Sequence, residues 1–170
     1  RISRKNVLTR RMPAVETLGA ATVLCVDKTG TLTQNRMTLR QLVVDHASVD
    51  LSTLSTELPE ELHGLLENAI LACKRDPFDP MERALLAARD RWLKETEHLH
   101  PDWSLTREYP LTPELLAVSH VWSTGNDDEA VVAAKGAPEA IIDLCHLEST
   151  QRQELSERVA SLAARGLRVL

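Results

Sequence analysis

A mixed α+β fold, an antiparallel sheet flanked by helices, is what these 170 residues predict, and three observations carry that expectation. Three strand-like runs, Trp103 to Tyr109, Leu115 to Trp122 and Ala130 to Lys135, follow one another closely, with Gly125-Asn126-Asp127 as a hairpin-type turn between the last two. Segments of helical periodicity stand on both sides of them. Apolar residues make up 43% of the chain but aromatics only 3%, so the core is one of Leu, Val, Ile and Ala. No apolar stretch approaches the roughly 18 residues of a membrane span, and none has the form of a signal peptide.

The elements follow in order. After a basic leader comes Val23-Leu24-Cys25-Val26-Asp27, an apolar run that fits a buried strand ending at an aspartate. Lys28-Thr29-Gly30-Thr31-Leu32-Thr33 is rich in turn formers. Met37 to Val44 reads as a second strand and residues 45 to 56 as an irregular polar connection. Pro59 to Cys73 has Leu62, Leu65, Leu66, Ala69 and Ile70 at helical spacing. Asp79-Pro80-Met81-Glu82 opens another helix running to about Glu95, with Asp at the N-cap, Pro first and Glu third. Ala137 to Cys145 and Thr150 to Arg165 read as helices, the second closed by Gly166, and Leu167 to Leu170 as the start of a strand. The chain opens at Arg1 and stops inside that apolar run, which reads as a piece of a longer polypeptide.

The net charge of −5 is unevenly spread. Arg1, Arg4, Lys5, Arg10 and Arg11 are the only charges in the first 11 residues, which leaves 15 basic residues against all 25 acids. A body that acidic repels phosphodiester backbones, so nucleic acid is not an expected partner. The leader suits the cytoplasmic flank of a membrane helix. Cys25, Cys73 and Cys145 are scattered, without a close pair, which argues for a reducing compartment and against a disulfide framework or a zinc site.

Asp27 stands where α/β enzymes keep reacting groups, at the carboxyl end of an apolar strand. Lys28 supplies a cation, Thr29 and Thr31 hydroxyls, and Gly30 close backbone approach to an anion. A carboxylate that accepts a phosphoryl group needs such surroundings. An isolated Asp-Lys pair reads rather as a solvated Asp in a loop after an edge strand. The whole string is more specific: Asp27-Lys28-Thr29-Gly30-Thr31-Leu32-Thr33 resembles, at all seven positions, the phosphorylation signature of P-type ATPases. Met12 to Gly19 resembles the segment leading from a membrane helix into their phosphorylation domain. The resemblance implies Asp27 as phosphoryl acceptor, with Lys28 and Thr29 around it, and Asp27 and Thr29 as magnesium contacts in the full-length protein. In the related haloacid-dehalogenase-like phosphatases the residue two after the nucleophile is an acid. Thr29 is a poor proton donor, which favours a long-lived phosphoenzyme over a phosphatase.

Lys135-Gly136-Ala137-Pro138-Glu139 gives a cation, a glycine and a helix start, all suited to a nucleotide, although an ordinary strand-to-helix turn has the same composition. Beside the Asp27 string it resembles the nucleotide-domain signature of calcium-pump-like, type II P-type ATPases. That resemblance implies an ATP site in which Lys135 lies at the back of the adenosine pocket and Gly136 lines it. Asp79 to Leu85 resembles a further family segment whose glutamate, here Glu82, faces the adenine amino group; a capping box with Asp79 is the structural alternative. Glu108-Tyr109-Pro110 resembles a strand end whose aromatic stacks on adenine; a half-buried strand tyrosine is the alternative. Arg168 matches an arginine that reaches the phosphates. Leu111-Thr112-Pro113-Glu114 replaces basic residues of the calcium pump, so binding to ATP is expected to be weak.

The resemblance covers essentially the whole chain, most strongly at 12–37 and 135–139. It implies an N-terminal stub of a dehalogenase-like α/β phosphorylation domain over 1–33 and a nucleotide-binding domain over 34–170. Further phosphorylation, actuator and membrane domains of the same chain, ATP, Mg2+ and a transported cation, calcium by default, are the implied partners. No Gly-Asp pair occurs in the sequence. The family's later motifs that complete the magnesium site are therefore expected beyond Leu170, and the chain alone is not expected to phosphorylate itself. A dehalogenase-like phosphatase or phosphotransferase and a non-catalytic nucleotide module are the rival classes. His98 and His100 read as solvent-exposed, Cys145-His146 as packing at a helix end, and Glu57, Glu60 and Glu61 as a solvated helix start. Trp92, Trp103 and Trp122 read as core.

Overall fold

The computed structural model describes residues 13–45, 47–94, 96–125 and 129–170. They fall into two units, Arg1–Asn35 and Arg36–Leu170. The basic leader, Met12, Glu95, and Asn126 and Asp127 of the expected turn lie outside the described residues.

In the first unit a short helix, α1 (Pro13–Gly19), precedes an extended stretch. Val23 to Asp27 is not the buried strand that its composition predicts: no ladder partner among the described residues pairs with it, and Leu24 is 76% exposed. A parallel strand is stabilised by neighbours on its edges and faces, and none is present among the described residues of this unit. No dehalogenase-like α/β sheet is seen among the described residues of this unit. What forms is the turn. Asp27 adopts an extended conformation and its Oδ1 accepts from the Thr29 amide at 3.4 Å, an Asx-type bond. Gly30 sits at φ +77°, and the Thr33 amide closes the turn onto the Lys28 carbonyl at 3.0 Å.

The second unit is α+β, but with two antiparallel sheets instead of one. The expected strand from Met37 narrows to β1 (Gln41–Val44), and the expected irregular connection contains its partner β2 (Ala47–Asp50). Asp45 at φ +44° lets the chain reverse this tightly, a conformation that Asp tolerates better than most residues. The alternation Ala47-Ser48-Val49-Asp50 was the available signal. A single 3-10 turn (Glu60–Leu62) leads into α2 (His63–Leu71), and α3 (Pro80–Trp92) begins at Asp79, whose carboxylate accepts from the Met81 amide at 2.7 Å. Leu42, Leu51, Leu58, Leu62, Leu66, Leu85, Ala88 and Leu93 form one buried core joining the hairpin to both helices.

The second sheet has the order β3 (Ser104–Tyr109), β4 (Ala117–Ser123), β5 (Ala130–Gly136). Leu71 and Ala72 at the end of α2 bury with Trp122 and Ala133 of this sheet, with Trp103 packed alongside and Trp92 against the first core. β3 is exposed along its whole length. α4 (Pro138–Leu144) and α5 (Ser149–Ala164) follow, and Gly166 at φ +79° ends α5 as expected. Leu167 to Leu170 is not a strand, because no described strand offers it a ladder. Cys145, expected to pack, is exposed.

His98 and His100 are not in solvent. His98 Nδ1 meets Glu67 Oε2 at 2.5 Å and its Nε2 meets Glu60 Oε1 at 3.2 Å, while His100 Nε2 meets Glu67 Oε1 at 2.8 Å and stacks on Trp103. The carboxylates come from 31 to 38 residues away, so local sequence did not show them, and Glu60 is not merely solvated. The Glu67 hydrogen bond, ahead of that from Glu60 and against burial, holds the His98 imidazole above its ordinary pKa.

Candidate functional site

Lys135 is the residue around which the second sheet and both helices meet. It lies near the end of β5, and its ammonium contacts Glu82 Oε1 at 2.6 Å while also donating to the Ala72 carbonyl. The two side chains are only 9% and 12% exposed. Helix α2 supplies the reason for a cation at this spot. Its last carbonyls have no intrahelical partner and carry the negative end of the helix dipole. The sheet caps them: Trp122 Nε1 and His120 Nδ1 both reach the Leu71 carbonyl, at 3.0 and 2.9 Å, and Lys135 takes the next one.

Glu82 enters from the first turn of α3. Its carboxylate does not turn back to the Asp79 amide as a capping box would; it bonds Lys135. No hydrogen bond among the described residues uses its Oε2. Cys73, beside the pair, has its thiol pushed up to about 11, chiefly by burial, with the Lys135 charge opposing and the Glu82 charge reinforcing.

Gly136 has a steric reason. A Cβ there would come within 2.6 Å of Ala117 Cα and closer still to the Leu116 carbonyl, so only glycine lets β5 approach β4 at this end. Ala137 then donates to that same carbonyl at 2.8 Å as the chain enters α4.

Tyr109 ends β3 at the same end of the sheet, 45% exposed. It pairs with Ser119, and Ser119 with Ala134, so strand alternation sets Tyr109 on the face opposite Lys135. Arg107 lies over its ring at 4.7 Å. Arg168 is exposed after α5, without an ion pair or side-chain hydrogen bond among the described residues. Asp27, Lys28 and Thr29 belong to the first unit, all exposed on the turn described above. Of the residues singled out from sequence, the structure thus joins Glu82 and Lys135 directly and leaves Tyr109 at the same sheet end.

His120 was missed. It is fully buried, its Nε2 has no hydrogen-bond partner, and Glu108 Oε1 lies 3.9 Å away with Lys74 on the other side at 3.8 Å. Its inward register between Val118 and Trp122 was the readable signal. A separate cleft of about 380 Å³ lies between the β1–β2 hairpin and α5, lined in part by Asp45, Arg158 and Arg165.

No protein-family model matches the chain. Curated proteins do. The chain is 30% identical over 204 residues to the probable cation-transporting ATPase F of Mycobacterium tuberculosis, covering 100% of this chain and 22% of that protein. It is 33% identical over 156 residues to calcium-transporting ATPase 1 of Lactococcus lactis, covering 86% of this chain and 17% of the relative. It is 30% identical over 179 residues to the sodium/potassium-transporting ATPase subunit alpha-1 of Catostomus commersonii, covering 91% and 17%. The chain therefore spans about a fifth of the length of the curated relatives it matches, and along that span it is similar to a segment of cation-transporting ATPases.

Proposed function

We propose that this chain is the nucleotide-binding part of a P-type cation-transporting ATPase of type II, joined to the start of its phosphorylation domain. The observation that carries this reading is the Lys135–Glu82 pair. Two strings that separately resemble nucleotide-site segments, 53 residues apart, meet in one nearly buried ion pair. The similarity of the whole chain to cation pumps supports it.

In the proposed site Glu82 Oε2 accepts from the adenine amino group, Lys135 fixes the carboxylate that does so, and the Tyr109 ring offers a π-face at the open end of β3. One ligand touching both Tyr109 and Glu82 lies across the ends of β3 and β5, and Arg107 must leave the Tyr109 ring to admit it. Arg168 completes the phosphate contacts. The acidic Glu114, where the calcium pump has basic residues, weakens the attraction of the phosphates, so affinity is on the order of millimolar, about 4 kcal/mol.

In the full pump, an oxygen of the Asp27 carboxylate forms a bond to the γ-phosphorus as the bond to the leaving ADP oxygen breaks. The turn fits this role: Asp27 is exposed, Gly30 at φ +77° keeps the backbone open, and Lys28 brings a positive charge. Mg2+ held by Asp27, Thr29 and the substrate phosphates would neutralise the charge in transit. Thr29 is also a poor general base for the water that would hydrolyse the acyl phosphate, so that intermediate persists long enough for domain closure to be coupled to the movement of a cation.

Calorimetric titration with ATP, ADP, AMP and GTP tests the reading. Binding of the three adenine nucleotides, weaker for GTP and at least tenfold weaker in Tyr109→Ala and Glu82→Gln, is expected. A folded chain that ignores ATP at millimolar concentration contradicts it. Autophosphorylation of Asp27 by this chain alone is not expected. Rapid release of inorganic phosphate from a phosphomonoester would favour the dehalogenase-like phosphatase instead.

A further inference from the structure

Glu60, His63 and His98 converge at the start of α2, away from Lys135. His63 is buried, 7% exposed. Its Nε2 lies 2.9 Å from the Leu58 carbonyl, which can only accept, so that nitrogen carries the proton. In the neutral ring Nδ1 then presents a lone pair. It has no hydrogen-bond partner among the described residues and faces Oε2 of the exposed Glu60 side chain at 3.2 Å. A buried nitrogen in that position calls for a proton, which makes an imidazolium–carboxylate pair, or for a metal cation shared with the carboxylate.

His98 approaches the same carboxylate from the other side. Its Nδ1 is held by Glu67 Oε2 at 2.5 Å, and its Nε2 faces the second oxygen of the same Glu60 carboxylate at 3.2 Å. The three ligand atoms, one from each residue, all lie within 4.8 Å of one another. Tetrahedral zinc with ligands at about 2.0–2.2 Å requires ligand atoms roughly 3.3–3.5 Å apart. The two histidine-to-glutamate spacings of 3.2 Å reach different oxygens of Glu60, so one of them already lies close to that value for a monodentate Glu60 and the other histidine closes in by a side-chain adjustment.

The surroundings match what metal-binding imidazoles need. A ligating histidine commonly donates its other ring nitrogen to a carbonyl or carboxylate, which fixes tautomer and orientation. Leu58 does this for His63 and Glu67 for His98. Glu67 is in turn held by His100, whose ring stacks on Trp103 with centroids 3.7 Å apart. Glu60 is the exposed member, its side chain 74% accessible, so an ion has an entry path and water a coordination position.

We infer that Glu60, His63 and His98 form a site for a zinc-class divalent transition metal, with water as fourth ligand. Two imidazoles and one carboxylate suit zinc better than magnesium or calcium, which prefer all-oxygen sets. The ion ties the segment after α3 to the entry of α2, so its role is to staple the helical layer. This holds whether or not the chain binds a nucleotide.

The test starts from chain stripped of metal with a chelator and dialysed free of it. Calorimetry with Zn2+ at pH 7.5 is expected to give one ion per chain with Kd in the micromolar range or tighter, Co2+ the visible absorption of a four-coordinate ion, and Mg2+ no heat. Glu60→Gln and His98→Gln each weaken Zn2+ at least tenfold, whereas His146→Gln leaves it unchanged. Because a variant at His98 can loosen its loop, the unmutated chain is also read by NMR of the histidine rings. Zn2+ moves the His63 and His98 signals at one equivalent. Absence of binding at tenfold excess, equal binding in Glu60→Gln and His98→Gln, equal response to Mg2+, or ring shifts confined to other histidines would each overturn the site.

Discussion

The Asp27 turn and the Lys135 strand end carry the two most specific strings in the chain, and the structure treats them in opposite ways. Around Asp27 every described bond is local: the Asx bond to Thr29, the closure of Thr33 on Lys28, and the left-handed Gly30 between them. Around Lys135 every described side-chain bond is remote, to Ala72 and Glu82, 63 and 53 residues away. The first string contains its own geometry and keeps it without a sheet. The second is a fragment of a site that exists only once α2, α3 and β5 have packed. Sequence motifs of equal specificity can therefore differ completely in what holds them.

That contrast is open to direct attack. The largest difference is expected at the two lysines. Lys135→Ala leaves the Glu82 charge buried without its partner and the Ala72 carbonyl uncapped, at a cost of about 3–5 kcal/mol. Lys28→Ala stays within about 0.5 kcal/mol. Urea unfolding followed by circular dichroism compares them, and equal midpoints would break the contrast. Leucines come next. Leu66→Ala, in the fully buried core, costs about 2–5 kcal/mol, whereas Leu24→Ala is neutral by the same measurement because Leu24 is already in water.

The two glycines sharpen the comparison. Gly136→Ala costs about 1–3 kcal/mol through overlap with Leu116 and Ala117. At Gly30 the demand is only for positive φ, so Gly30→Asn is tolerated and Gly136→Asn is not. The smallest effect is read in the thiols. Exposed Cys25 and Cys145 react with an alkylating reagent at pH 8, while Cys73 does so only on unfolding. Its folded pKa of about 11 stands above the ordinary 9.0. The folded state thus keeps a proton that the unfolded state loses, and stability declines as pH rises from about 9 toward 11. A Cys73→Ser variant should lose that slope.

Much of the second unit was legible because its signals were local. The Asp79 cap with Pro80 behind it, the αL stop at Gly166 and the alternation of β4 each name their element within a few residues. The failures share one cause, dependence on a distant partner. Val23 to Asp27 and Leu167 to Leu170 have strand composition but no neighbouring strand among the described residues, and composition alone cannot form a ladder. β2 was missed because its Asp45 turn lacks glycine. In the candidate site, Glu82 was legible as a residue, as an adenine contact or a cap for α3, but its pairing with Lys135 appears only in the packed structure. His98 and His100 were misread for the same reason, since Glu60 and Glu67 arrive from the 3-10 turn and helix α2, more than 30 residues away.

The central claim is that the sheet end bearing Lys135, Glu82 and Tyr109 receives the nucleotide. Backbone amide NMR during ATP addition addresses it most directly. The account predicts shifts concentrated at the end of β3 near Tyr109, at Lys135 to Ala137 and at the first turn of α3, with the Glu82–Lys135 contact reorganised. Shifts confined to the cleft lined by Arg158 and Arg165, with the Lys135 end silent, would contradict it and mark the binding as phosphate held by surface arginines.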